Sequence, residues 1–175
     1  DIYITCKPER VKPIFDLLAE HLFQAAHIRV HLGKTRIWNK GGFHPNGCEQ
    51  MSDNDGNQAW RGDPNLQTED QGLKVLGTPI GHPDYVQKCM HEIQEDHEVL
   101  LQRIPSVPDL QSAWLLLSYC SASRANYFLR TLAPSDSQPF ANLHDESLWK
   151  CLCKLLDVDA TEFATAQQIA QLPLQ

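Results

Sequence analysis

The side chains that could do chemistry are few and spread along the chain. Six cysteines, Cys6, Cys48, Cys89, Cys120, Cys151 and Cys153, could in principle hold a metal or pair as disulfides. Their spacing argues against both. Small secreted scaffolds are denser in cysteine. Cys151-Leu152-Cys153 lacks the gap of a structural zinc site, and His44 near Cys48 is an equally poor match. The cysteines read as reduced thiols in an intracellular protein, with Cys89 and Cys120 as core residues of helices. Among the cations, Lys34 stands in a turn after an alternating segment. Arg124, Tyr127 and Arg130 share about a third of a helix circumference. Such a face can lie along phosphates and sugars; the plain alternative is a solvated face with Tyr127 half buried.

Composition bounds what this chemistry can serve. A chain of 175 residues, 42% hydrophobic, has enough apolar content for one ordinary domain or two small ones. No apolar run reaches the length of a membrane span. The net charge of −7 argues against a generic nucleic-acid binder. Its distribution is uneven: residues 1–40 carry +3, residues 41–72 carry −5, residues 73–133 carry −1 and residues 134–175 carry −4. Any phosphate-binding face must draw mainly on the first of these segments.

The elements that must position these residues follow from periodicity. Residues 2–6 read as a short core strand. Pro8 suits the first turn of a helix, and Val11, Ile14, Phe15, Leu18, Leu22 and Phe23 continue it at helical spacing to about Ala26. Its apolar stripe should pack on a sheet. Residues 27–32 alternate as a half-buried strand does, and Arg36-Ile37-Trp38 is a further extended piece. Residues 39–71 read as a long polar excursion over the surface, with Trp60 pinning it to the body. Residues 73–77 form a strand, 78–82 a turn and 83–103 a helix. Asp109 caps the next helix, Leu110 to Cys120. Its run Trp114-Leu115-Leu116-Leu117 is apolar nearly all round and should be deeply buried. Helices follow at about 122–132 and, after a linker at 134–139, at about 143–156, with one more starting near Thr161. The order predicts an α+β fold, an α+β half followed by an all-helical half.

Four stretches occur together in a suggestive order: Asp1-Ile2-Tyr3-Ile4; Val30-His31-Leu32-Gly33-Lys34-Thr35; Gly72-Leu73-Lys74-Val75-Leu76-Gly77-Thr78-Pro79-Ile80-Gly81; and Asp109 to Leu117 with Ser121 to Arg130. Together they resemble the back half of the reverse transcriptase encoded by non-LTR retrotransposons, over roughly residues 1–133. The resemblance implies a partial palm at 1–82, carrying the polar excursion at about 39–71. A helical, thumb-like region at 83–133 and a truncated helical segment at 134–175 would follow.

In that family a hairpin presents an aromatic-x-Asp-Asp sequence, and Asp1 looks like its second aspartate, a catalytic and metal-binding position. Two Mg²⁺ ions activate the primer hydroxyl and steady the pyrophosphate, and Mg²⁺ takes hard oxygen ligands. The family's principal ligands, the first aspartate of the pair and another far upstream, are not in this chain. Lys34 looks like the lysine that protonates the departing pyrophosphate or holds its charge; the family often has asparagine where His31 stands. Val75, Leu76 and Gly77 look like the primer grip, where glycine lets backbone approach the primer closely. Arg124, Tyr127 and Arg130 fall where the thumb meets the primer and template.

The implied function is RNA-directed DNA polymerisation by two-metal nucleotidyl transfer. Its partners are an RNA template, a DNA primer and deoxynucleoside triphosphates, with no membrane and, by family, a nuclear location. Without the principal carboxylates the chain alone is expected to be inactive. Two other readings compete with this one. The chain could be a non-catalytic retroelement relic or nucleic-acid-binding module, or a metal-binding interaction domain built on its scattered Cys and His.

Overall fold

The computed structural model describes residues 2–49, 51–53, 55–56 and 58–159. The fold is α+β and mostly helical, with one small antiparallel sheet. Its contacts divide it into two compact units, residues 1–86 and 87–175. The expected helix near Thr161 lies outside the described residues.

In the first unit, Pro8–Arg10 make a 3-10 turn that feeds α1, Val11–Ala26. The missing N–H of Pro8 costs nothing in a first turn. His27 ends α1 in the left-handed conformation (φ 54°), its N–H bonded back to Leu22 and Phe23 carbonyls. Two short strands, β1 (Gly72–Val75) and β2 (Thr78–Gly81), pair antiparallel, with Gly72 opposite Gly81 and Val75 opposite Thr78. The turn between them is therefore Leu76-Gly77, and residues 78–81, expected as a turn, are the second strand. Helix α2, Pro83–Arg103, begins directly after the hairpin and matches its expected bounds.

The expected strands at 2–6, 27–32 and 36–38 are not formed. Residues 2–7 are irregular, with Ile2, Tyr3 and Ile4 about half exposed instead of in a core. Residues 28–31 are irregular too, and Leu32–Lys34 form a 3-10 turn. Ile37 makes a single bridge, to Trp60. Alternation marks a chain that can lie half buried in a sheet, but only a hydrogen-bonding neighbour makes it a strand; among the described residues the segments at 2–6 and 27–32 belong to no strand pair, and 36–38 has only the one bridge.

Only the start of the α1 stripe, Val11 and Phe15, packs on the 39–71 excursion, and no sheet covers the rest: Phe23 is 46% exposed. That excursion is more than surface: Cys48, Met51 and Ala59 are buried in it and pack against Val11, Phe15, Leu32 and Ile37. Backbone bonds knit it together, from Ile37 to Ala59, Arg61 to Ile37 and Ala59 to Met51, each 2.8 Å. Trp60 is buried as expected.

The second unit is helical: the remainder of α2, then α3 (Leu110–Leu115), α4 (Ala125–Thr131) and α5 (Pro134–Leu156). The Asp109 side chain caps α3 by accepting from the Ser112 N–H at 2.7 Å, and hydrogen bonding from the Ser112 hydroxyl first, and from this N–H second, holds its carboxyl below the usual range. Residues 116–121, expected to continue α3, widen into a π-helix. Helix α5 starts nine residues before its expected start, because Pro134 sits in a first turn where proline is tolerated. The core joins Leu101, Ile104, Ala113, Leu117 and Cys151. Trp114, Leu115 and Leu116, expected to be deep, are at least one-third exposed, and Cys120 is exposed while Cys89 is buried. An apolar run carries no phase information: only Ala113 and Leu117, four residues apart, face the core.

The burial pattern predicts a contrast that the sequence alone does not. Ile104→Ala should cost about 2–5 kcal/mol in chemical denaturation. Leu115→Ala, in the more apolar stretch, should cost less than about 1 kcal/mol.

Candidate nucleic-acid interface

The hairpin is positioned by close packing at its base. A Cβ on Gly72 would lie 2.2 Å from the Tyr85 ring, and one on Gly81 would lie 2.4 Å from the Gln71 carbonyl oxygen. Both positions therefore exclude any side chain, and Tyr85 seats the first turn of α2 against the hairpin. The His82 N–H donates to the Gln71 carbonyl at 2.8 Å, and the Thr68 hydroxyl donates to Asp84 at 2.6 Å. The base is thus tied on both sides.

The tip is held in a different way. Leu76 has φ 51° and Gly77 φ 90°. Positive φ at both central residues is the two-residue turn whose twist suits a hairpin, and it normally takes Asn-Gly or Gly-Gly. Leucine in this conformation is strained, and Leu76 is 70% exposed, so core packing does not repay the strain. Such departures concentrate at functional positions. The Leu76 N–H donates to the Tyr3 hydroxyl at 3.2 Å. The structure therefore joins the first and third of the four stretches, through residues 73 positions apart. Sequence reasoning does not find this contact, because the alternation at residues 2–6 predicts a core strand and gives Tyr3 no partner.

The other expected site residues stand as follows. Asp1 lies outside the described residues. Val75 is half buried at the end of β1, beside the exposed Leu76 and Gly77. Lys34 is exposed on the Leu32–Lys34 turn, where its N–H donates to His31 at 3.1 Å. That turn is braced: the Thr35 hydroxyl donates to the His31 carbonyl, and Arg36 donates to Gly33 and Thr35 carbonyls, both at 2.8 Å. A Cβ on Gly33 would press on the His31 ring at 2.8 Å and the Asp53 carboxylate at 3.0 Å, so those side chains would have to shift to admit it. In the second unit, Arg124, Tyr127 and Arg130 are all exposed, Arg124 closing a 3-10 turn and the other two lying on α4. Tyr127 packs edge-on against Phe128, 5.2 Å between ring centroids.

Among the described residues no three or more His, Cys, Asp or Glu side chains cluster so as to hold a metal ion. Burial pushes the thiols of Cys48, Cys151 and Cys153 up, away from the thiolate form that binds metals. All six cysteines are unpaired. No helix among the described residues is long and apolar enough to cross a membrane.

Comparison with family models, with curated proteins and with solved structures finds no match to this chain. The resemblance to reverse transcriptases therefore rests on the four stretches themselves.

The hairpin geometry predicts opposite responses at its two ends. Leu76→Asn should leave thermal stability unchanged or raise it by up to about 1 kcal/mol, since asparagine tolerates the left-handed region better. Gly81→Ala should destabilise by about 1–3 kcal/mol, because the blocking atoms are backbone.

Proposed function

We propose that this chain is the primer-side support of an RNA-directed DNA polymerase of the non-LTR retrotransposon type. Its β1–β2 hairpin would act as the primer grip, contacting the primer of an RNA–DNA hybrid through Leu76 and Gly77. The observation that carries the reading is the hairpin tip: an exposed, strained Leu76 beside a glycine, with its backbone bonded to Tyr3. Exposed backbone at a glycine lets a nucleic-acid strand come close. The leucine side chain offers an apolar surface for a sugar or base. Arg124 and Arg130 would meet phosphates, with Tyr127 between them in sequence. Lys34, on a braced and exposed turn, would stabilise the departing pyrophosphate by its charge.

The complete enzyme would work by two-metal nucleotidyl transfer, with deoxynucleoside triphosphates as substrates. The described residues do not fit a magnesium site, and Asp1, the one carboxylate the resemblance assigns to it, lies outside them. This chain alone should therefore extend no primer. Action in the nucleus belongs to the same reading.

A second reading, a non-catalytic relic, has one observation in its favour. The excursion at 41–72, with net charge −5, is folded into the core of the first unit instead of trailing away from it. A fixed acidic segment repels phosphate at low salt.

Fluorescence anisotropy with a labelled RNA–DNA hybrid separates the two. The polymerase reading expects binding at 50 mM salt that weakens as salt rises. Leu76→Asn should weaken it about fivefold, the worth of about 1 kcal/mol of apolar contact, without loss of fold. Arg124→Ala and Arg130→Ala should each lower the salt slope by about 1. Absence of binding at low salt would leave the relic reading standing.

A further inference from the structure

In the second unit, His97 of α2 and His144 of α5 face each other with ring centroids 5.3 Å apart. Both are buried, with 7% and 2% of their surfaces exposed. Phe140 stacks on His144 at 5.8 Å and approaches His97 at 6.0 Å, and Phe128 of α4 closes the cluster against Phe140. Neither nitrogen of His144 has a hydrogen-bond partner, nor does Nδ1 of His97. The backbone of Ala122 stands near enough to favour a charged His144, but out of hydrogen-bonding geometry. Buried imidazoles without partners are tolerable only while neutral.

The charges around the pair do not rescue an imidazolium. From α2, Asp96 and Glu98 face His97; from α5, Asp145 acts on His144, as does Glu98; Arg124, ahead of α4, opposes a charge on His97. Glu98 is already engaged, accepting from Ser147 of α5 and from Gln94. Burial is the largest influence on both rings, and the partner histidine is the next on His97, which is lowered to about 4.

We infer that the His97–His144 pair is an acid-sensitive latch: it holds α5 against α2 and α4 while both rings are neutral and releases α5 when either ring is protonated. The direction follows from linkage. Each ring is a base with a folded-state affinity for protons below that of the unfolded chain. Its contribution to stability is therefore full above the ordinary histidine range, near 6.5, and is lost as pH falls, for His97 down to about 4. The Gln94–Ser147–Glu98 bonds and the contact of the Cys151 thiol with the Leu101 carbonyl at 3.4 Å span the same seam. Opening at the histidines would break these as well.

Two measurements on the full chain test this. Proton NMR titration of the histidine rings should show His97 and His144 staying neutral to lower pH than an ordinary histidine, His97 down to about 4. His97 and His144 both taking up protons at the ordinary histidine value would overturn the inference. Hydrogen exchange should show protection of residues 137–153 falling below pH 6.5, by up to about tenfold per pH unit for each histidine. His144→Leu should remove a large part of that fall. Parallel curves for the variant and the natural sequence would contradict the latch. Should the variant fail to fold, the ring titration alone decides.

Discussion

The candidate site depends on the absence of side chains at the base of one hairpin. Gly72 and Gly81 lie opposite each other; Tyr85, in the first turn of α2, fills the space a Cβ on Gly72 would need, and the Gln71 carbonyl and Gly72 backbone fill that of Gly81. The Tyr85 contact locks the only sheet among the described residues onto the start of a 21-residue helix. With the base fixed, a two-residue turn leaves Leu76 and Gly77 no freedom to fold back, and they stand in solvent. The exposed tip is a consequence of the buried base.

The second unit rests on a different kind of constraint. Its α2–α5 seam combines an apolar cluster around Ile104 with a stretch where histidines replace aliphatic residues. His97 and His144 occupy positions that helical spacing would give to leucine: His97 follows Ile93 and precedes Leu101, and His144 lies between Phe140 and Leu148. Imidazoles fill the volume but bring nitrogens that the seam does not satisfy. The unit thus has ordinary packing at one end and a proton-sensitive patch at the other.

What the sequence made legible was the helices with strong periodicity and clear stops. Pro83 to Arg103 ends where Pro105 follows, and α1 ends at Ala26 before the left-handed His27. The first strand of the hairpin and the Asp109 cap were legible as well. The expected strands at 2–6 and 27–32 were not formed, because alternation describes a face and says nothing about a partner. The core inside 39–71 was invisible, because Cys48, Met51 and Ala59 are too unevenly spaced to give a period. The depth of Trp114 to Leu116 was misjudged because four apolar residues in a row leave the phase of a helix undetermined. At the site, the motif gave the hairpin tip but not the Tyr3 contact, which joins segments distant in the chain. The histidine pair carried a faint signal, each ring lying four residues from an apolar neighbour on the same stripe.

The hairpin account makes the primer strand the partner of Leu76 and Gly77, and a direct measurement is photocrosslinking. An RNA–DNA hybrid would carry a photoreactive base at the primer 3′ end and be irradiated with the full chain at low salt, with the attached residue mapped by mass spectrometry. The account predicts attachment within residues 75–78 or at Tyr3, lost on competition with unlabelled hybrid. Specific attachment elsewhere, with the hairpin untouched, would contradict it.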